Sequence, residues 1–547
     1  MGIQETLNLA IQRHQAGDLS GAEALYRQVL ASQPNQHDAL HLLGTVAYQC
    51  GKYDTAINLI RRAISMRPAE AVFYINLGLA LAASGQIDAA VDADRQATEL
   101  QPNNADALCH LAGNYLAVDC VPEAIDCWRR AIEARPNDAS AGSNRLFAMS
   151  FDPRFDAAAL LREHNLWSRR HADPLASSIR PHQNVVNANR RLRIGYLSPD
   201  LRIHVVGLNL LPLLSEHDHS QFEIFCYSAV ARPDELTERL RSLADQWRDI
   251  RALSDDAAAE LIRQDQIDIL IDLAQHTNGN RILIFARKPA PVQVSYLGYL
   301  GTTGLSAIDY RFSDPYIDPP GAEIGCYAEE TWRLPKTYWA YQPRDDAPEV
   351  TAPPAESNGF PTFGCLNHFC KMNDAVFDLW AKVLHAADRS RMLIYSDSRR
   401  HRQAISRRFA SRGISPDRLE FVGRMKWSDY LRTYQRIDMV LDTFPFAGGI
   451  TTCDSLWMGV PVVTYAGQIA VGRGSSSVLS NVGLADLIAA TPDEYVNIAA
   501  NWQKWISLRP VLRKRMQDSP LLDRQQFARD VEAAFQQMWT NWCGRQT

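Results

Sequence analysis

Four stretches of this sequence place reactive or anion-holding side chains directly after a short apolar run, where an open α/β sheet binds its ligands. The first is Ser198-Pro-Asp-Leu-Arg-Ile-His204, an exposed polar loop following Leu192–Leu197. The second, Gly364-Cys-Leu-Asn-His-Phe-Cys-Lys371, sets a lone lysine ahead of a helix. The third, Gly423-Arg-Met-Lys-Trp-Ser-Asp429, is basic and ends at a helix start. The fourth runs from Leu441-Asp-Thr-Phe-Pro through Gly448 and Gly449 to Ile450-Thr-Thr-Cys-Asp454, where another helix begins. Glycines and hydroxyls before a helix N-terminus offer backbone N–H groups and the positive end of the helix dipole to a phosphate. Lys371 and Lys426 add countercharge, so the set fits a nucleotide diphosphate. His204 and His276 both lie on loops after strands, and imidazole is the side chain that exchanges a proton near neutral pH. Asp200 and Asp265 read as structural carboxylates.

Positioning these loops requires parallel strands alternating with helices. Leu192–Leu197, Phe222–Ser228, Ile267–Leu273 and Val292–Tyr296 read as strands, with helices over Asp234–Leu243 and Asp255–Arg263. After a proline-rich stretch near Ala347–Pro361 the alternation restarts. Strands are expected at Phe363–Leu366, Met392–Tyr395, Leu419–Val422, Met439–Leu441 and Val462–Thr464, with helices at Ala375–Ala386 and Arg400–Arg412. Near-continuous apolar runs of this kind belong to sheets covered on both faces, and two such halves predict twin Rossmann-like lobes around a cleft. Leu521–Trp542 reads as an amphipathic helix able to clamp the lobes. Trp427 and Trp457 read as packing residues, and Arg399, Arg400, His401 and Arg402 as a solvated helix start.

The N-terminal quarter is a repeat. Pro34, Pro68, Pro102 and Pro136 recur every 34 residues, as do Gly17, Gly51 and Gly85 with Asp119 in the fourth place. Ala22, Ala56, Ala90 and Ala124 keep the same step, and so do Ala10, Gly44, Gly78 and Ala112. The period and residue types resemble the tetratricopeptide repeat. Small residues let the two helices of each unit approach closely, glycines take the turn, and prolines stop the second helix. Stacked units present a concave face suited to peptides. Positions 8, 42, 76, 110 and 144 form one column along it: Asn8, Leu42, Asn76, His110 and Asn144. The asparagine amides can hydrogen-bond a peptide backbone whatever its side chains, and Leu42 interrupts the ladder.

The expected organisation is α plus α/β: repeats over 1–147 (four full units and a partial one), a helical adaptor over 148–190, an N-terminal catalytic lobe over 191–350, a C-terminal nucleotide-binding lobe over 351–515 and a terminal helix over 516–547. The chain has 547 residues, 46% hydrophobic and 22% charged, with a net charge of −5, which gives no reason to expect a nucleic-acid polymer as partner. No apolar run approaches a membrane span, and no signal peptide is evident. Ten scattered cysteines without a Cys-x-x-Cys pair suit reduced thiols. A cytoplasmic protein with no membrane partner and no zinc site is expected; the oligomeric state is not legible.

From the repeats to the C-terminus the chain resembles the O-GlcNAc transferase family, glycosyltransferase family 41, and its bacterial members most. The resemblance rests on Leu192-Arg-Ile-Gly-Tyr-Leu-Ser-Pro-Asp-Leu-Arg-Ile-His204, Pro291-Val-Gln-Val-Ser-Tyr-Leu-Gly-Tyr-Leu-Gly-Thr-Thr-Gly304, Leu441-Asp-Thr-Phe-Pro and Asp454-Ser-Leu-Trp-Met-Gly-Val-Pro461. It implies a GT-B fold and inverting transfer of N-acetylglucosamine from UDP-GlcNAc to Ser or Thr hydroxyls of polypeptides presented by the repeats, with no metal or other cofactor. It implies His204 as general base and Lys371 at the diphosphate. Lys426 would be a second nucleotide lysine, with Arg424 and Met425 beside the uracil, and Thr451 and Asp454 would hold phosphate and ribose. His368, Asp429, Arg432, Gly449 and Ile450 complete the implied nucleotide site, while Gly301 and Thr302, with His276, mark the sugar and acceptor region. The animal members carry glutamine in place of His368, histidine in place of Asp429, and a His-Thr-Thr triplet aligned with Gly449-Ile-Thr; their long insert between the lobes is absent. A metal would otherwise carry the leaving charge, commonly through Asp-x-Asp, and the one such motif, Asp92-Ala-Asp94, falls inside a repeat helix. The alternatives are the same scaffold using another UDP-sugar or an asparagine acceptor, and a non-catalytic repeat-based adaptor.

Overall fold

A computed structural model describes residues 2–322 and 324–546. The chain divides into two units, one running to Ala148 and including Ser398–Arg402, the other comprising Met149–Asp397 and Gln403 onward. The first unit is a run of antiparallel helix pairs: Ile3–Gln15 with Leu19–Ser32, His37–Gln49 with Tyr53–Met66, Ala71–Ala83 with Ile87–Leu100, and Ala105–Leu116 with Val121–Ala134. Gly17, Gly51 and Gly85 take φ of 80°, 74° and 83° at the turns, and Asp119 takes 63° in the same place. That backbone is easy for glycine and tolerated by aspartate. A Cβ on Gly44 would stand 2.7 Å from Ile60 Cγ1 and 3.2 Å from the Ala56 carbonyl, so the 34-residue glycine column marks helix–helix contact.

The charge cluster at 399–402 is not the solvated helix start expected of it. Asp88 accepts hydrogen bonds from Ser398 Oγ (2.7 Å) and the Arg400 N–H (3.1 Å), and His401 is only 1% exposed, 3.4 Å from Asp119. Arg400 also pairs with Asp92 at 3.2 Å.

The second unit holds two parallel sheets. The first is built from β1 (Leu192–Ser198), β2 (Phe222–Ser228), β3 (Gln246–Asp249), β4 (Ile269–Asp272), β5 (Val292–Ser295), β6 (Tyr310–Ser313) and β7 (Glu330–Arg333), in the order 3-2-1-4-5-6-7. The second is built from β8 (Thr362–Cys365), β9 (Arg391–Tyr395), β10 (Leu419–Val422), β11 (Met439–Leu441), β12 (Val462–Tyr465) and β13 (Ile488–Ala489), in the order 10-9-8-11-12-13. Both follow the Rossmann order, so each has one point where the winding reverses: between β1 and β4, and between β8 and β11. Strands buried on both faces were readable as apolar runs. Four were not: β3 and β7 are part-exposed and polar, β13 has two residues, and β6 carries Arg311. Arg311 is 2% exposed and paired with Asp318 at 2.7 Å, a partner supplied from outside the strand.

The adaptor wraps the first lobe. Arg190 pairs with Asp268 at 2.6 Å and lies 4.7 Å from the Trp539 ring. Trp539 belongs to the terminal helix Arg524–Gly544, which packs on the first lobe through Phe535 against Phe312 and Glu532 against His217 Nδ1 at 2.9 Å. No described helix is long and apolar enough to cross a membrane.

Candidate active site

The second lobe's crevice lies where β8 and β11 end side by side. Asp442, 1% exposed, immediately follows β11 and pins the next loop. Its carboxylate accepts the Gly448 N–H (2.9 Å), Thr464 Oγ1 (2.8 Å) and Asn367 Nδ2 (2.9 Å), the last from the loop after β8. Asn367 then takes a hydrogen bond from Thr451 Oγ1 at 2.5 Å. This network holds Gly448 and Gly449 at the start of helix Ile450–Trp457. A Cβ on Gly448 would collide with Thr452 Oγ1 and stand 3.0 Å from both Ser475 Oγ and Thr451 Oγ1; one on Gly449 would stand 2.8 Å from Trp339. The glycines therefore leave the backbone without side chains against three hydroxyls, ahead of the Ile450 and Thr451 amides at the helix start, whereas the Thr452 N–H already bonds the Gly449 carbonyl.

Lys371 reaches this loop from the β8 side. Its Nζ donates to the Ala447 carbonyl at 2.8 Å and lies 4.3 Å from the Phe446 ring centre. Burial lowers its pKa, and the Asp442 carboxylate opposes that shift. A cation among bare amides and hydroxyls makes an anion site.

Asp454, one turn into the helix, is 2% exposed. It accepts Tyr341 OH at 2.8 Å and Tyr430 OH at 3.0 Å, and burial pushes its pKa up to about 7. Tyr434 OH reaches the Thr451 carbonyl at 3.1 Å. Lys426 caps helix Trp427–Thr433 and is exposed, as is Arg424, while Met425 Sδ accepts Thr433 Oγ1 at 3.3 Å. Asp429 and Arg432 form an exposed ion pair at 3.0 Å. The exposed His368 ring lies against Phe369, with its Nδ1 3.0 Å from Cys370 Sγ.

In the first lobe, His204 caps helix Val205–Glu216: its Nδ1 accepts the Val206 N–H at 3.3 Å and lies 3.7 Å from Asp200 Oδ2. Burial lowers its pKa, against the pull of Asp200. His276 is not presented to the cleft, contrary to its place in the expected sugar and acceptor region. It is 0% exposed, its Nε2 bonds the Thr303 carbonyl at 2.8 Å, and its ring packs on Trp167 and His164. Burial lowers its pKa to about 3. The Thr302 hydroxyl is likewise engaged inside, donating to Glu329 at 2.7 Å, whereas Gly301 is part-exposed beside Tyr299.

In the repeats, Asn76 Nδ2 contacts His41 Nε2 at 2.6 Å and Thr45 Oγ1 at 3.4 Å, so its donors are spent between neighbouring helices. Asn8 accepts from Gln4; His110 and Asn144 are part-buried. Asp94 is fully buried and bonded to Asn114, and no cluster of three metal-ligating side chains occurs among the described residues.

Asn367, Asp442, Tyr341 and Tyr430 are site residues beyond the candidates named from the sequence. Asp442 alone carried a signal, being a carboxylate directly after a buried strand.

The model of Glycosyl transferase family 41 matches residues 172–347 and 359–531, and a tetratricopeptide model matches 7–57 and 41–105. A probable UDP-N-acetylglucosamine–peptide N-acetylglucosaminyltransferase SPINDLY of Solanum lycopersicum is 36% identical over 422 residues, covering 74% of this chain and 44% of that protein. The Oryza sativa subsp. japonica protein of the same name is 37% identical over 419 residues, covering 74% and 45%. The chain thus spans about half the length of these curated relatives. A mutant O-GlcNAc transferase of Thermobaculum terrenum superposes with a TM-score of 0.79 at 35% identity, covering 100% of this chain and 98% of that one.

Proposed function

We propose, from the premise that this chain belongs to glycosyltransferase family 41, that it transfers N-acetylglucosamine from UDP-GlcNAc to Ser or Thr hydroxyls of polypeptides, with inversion and without a metal, the repeats binding the acceptor chain. The observation that carries this reading is the anion site: Lys371 at 2.8 Å from the Ala447 carbonyl, beside Gly448, Gly449 and the start of helix Ile450–Trp457.

As the bond from C1 to the β-phosphate oxygen breaks, negative charge grows on the departing UDP. Lys371 and the helix amides meet that charge with groups already in place, a contribution often worth several kcal/mol. The acceptor hydroxyl attacks C1 from the opposite face, which inverts the anomeric centre, and it must lose its proton as the new bond forms. His204 takes that proton through Nε2 when its Nδ1–H turns toward Asp200. The same ring with Nδ1 accepting the Val206 N–H would carry its proton on Nε2 and could only orient the hydroxyl. The carboxylate of Asp200 is what favours the base form. Asp454, held by two tyrosines, takes the ribose, and the exposed group of Arg424, Met425 and Lys426 flanks the base.

Calorimetric titration with UDP, UDP-GlcNAc and UDP-glucose, with and without EDTA, tests the reading. Micromolar UDP binding that survives EDTA, with transfer from UDP-GlcNAc to a Ser-containing peptide, is the expected result. Absence of binding to all three would overturn it in favour of a repeat-based adaptor.

A further inference from the structure

A cavity of about 420 Å³ opens at the carboxyl edge of the first sheet. It lies between the start of helix Val205–Glu216, the start of helix Glu235–Leu243 and the connecting segment 342–346. Its apolar walls include Ile203, Leu211 and Leu236. The nucleotide reading uses none of these residues.

Three observations indicate what would fill it. First, Ile203 is shared between the cavity wall and the approach to His204: it is 41% exposed, and Val205 on the other side of the histidine is 48% exposed. Exposed apolar residues therefore flank the histidine along the chain, and one of them, Ile203, also lines the cavity. Second, three separate elements give the cavity apolar walls: Leu208 and Leu211 on helix Val205–Glu216, Leu236 on helix Glu235–Leu243 and Pro343 on the connecting segment. Third, the rim carries three carboxylates, Glu235, Asp345 and Asp346, against two guanidiniums, Arg239 and Arg344. That balance disfavours a phosphate-bearing ligand. An apolar side chain carried on an extended polypeptide satisfies all three.

We propose that this cavity is a specificity pocket for the acceptor polypeptide, receiving a large aliphatic side chain close to the modified Ser or Thr. The proposal rests on the polypeptide-acceptor reading above. An extended chain advances about 3.3 Å per residue, so a chain whose hydroxyl lies at His204 brings a residue within roughly three positions to Ile203. The volume is in the range of small-ligand sites, roughly 300–1,000 Å³, ample for one side chain and its flanking backbone.

The test uses the full chain and a Ser-acceptor peptide series in which each of the three flanking positions on either side holds Leu or Asp. At one position kcat/KM should favour Leu by about tenfold or more, the usual worth of an apolar pocket contact. Ile203→Asn, which removes the apolar wall without adding a charge that repels the Asp peptide, should bring that ratio to near unity, and Leu236→Ala should lower it severalfold, with UDP affinity by calorimetry unchanged in both. Equal kcat/KM for Leu and Asp at every position, or a preference that survives in both variants, would overturn the pocket while leaving polypeptide transfer standing. Transfer to no peptide, despite intact UDP binding, would overturn the acceptor reading and the pocket with it. Should Ile203→Asn disturb UDP binding, Leu236→Ala, with its folding checked by melting temperature, decides the matter by the same ratio.

Discussion

The two lobes of the second unit share one strand order, and their crevices nonetheless hold different chemistry. At the β8/β11 reversal, Asp442, Asn367 and Thr451 lock a bare-backbone loop against Lys371. At the β1/β4 reversal there is no such loop: Asp272 folds back onto the Ala274 and Gln275 N–H groups, and His204 stands part-exposed among aliphatic neighbours. The winding thus decides where a ligand can sit, and the residues after each strand decide what it can be. One crevice gathers a cation and backbone amides, the other an imidazole beside apolar surface.

The largest effect should come from removing the cation of the anion crevice. Lys371→Ala is expected to lower kcat/KM by roughly 10³-fold and to weaken UDP binding with it, since in the proposed function the same charge meets the diphosphate before and during bond breaking. His204→Ala should separate the lobes: kcat falls by about 10²-fold while the UDP dissociation constant, read by calorimetry, moves less than about twofold. Equal losses in both quantities would dissolve the division of labour. Because burial holds the His204 pKa below its ordinary 6.5, the acid limb of the kcat/KM profile should lie below pH 6.5 and vanish in the alanine variant. Gly448→Ala, which sets a Cβ against Thr452 and Ser475, should weaken UDP binding by about tenfold, with an overpacking cost of about 1–3 kcal/mol in stability.

How much of this was legible in the sequence follows the same physics. The repeat could be read because close helix contacts demand small residues at a fixed step, as at Gly44 against Ile60. The interior strands could be read because both faces are covered; edge strands β3 and β7, and β6 with its ion-paired Arg311, escaped because their stability comes from partners elsewhere in the chain. Lys371 and the loop after β11 stood out at strand ends. Asn367 did not, since it works by holding that loop rather than by displaying charge, and Asp442 showed only as a carboxylate directly after a buried strand. His276 looked like a cleft residue only because its cover, Trp167 and His164, comes from the adaptor more than a hundred residues away.

A smaller effect is a matter of pH. Asp454 keeps its proton to about pH 7 in the folded protein, against an ordinary 3.8. Between pH about 4 and about 7 the unfolded chain therefore binds fewer protons at this group than the folded one, and its contribution to stability falls as pH rises. Asp454→Asn removes that slope, so the variant's melting temperature should gain on the wild type as pH rises through this window. A difference between the two that stays flat from pH 4 to 7 would show the carboxylate to be ionised throughout.

The smallest effect is the most discriminating about the anion crevice's outer edge. Asp429 and Arg432 pair at 3.0 Å, with side chains 54% and 61% exposed, and a pair so open to water contributes at most about 1 kcal/mol. Asp429→Ala should hardly move the melting temperature. Structural loss is then too small to account for a change in UDP affinity, and the variant reads the nucleotide contact alone. A change beyond about twofold in the UDP dissociation constant would place Asp429 or its freed Arg432 against the nucleotide; no change would confine the binding surface to Lys426 and the residues packed behind it.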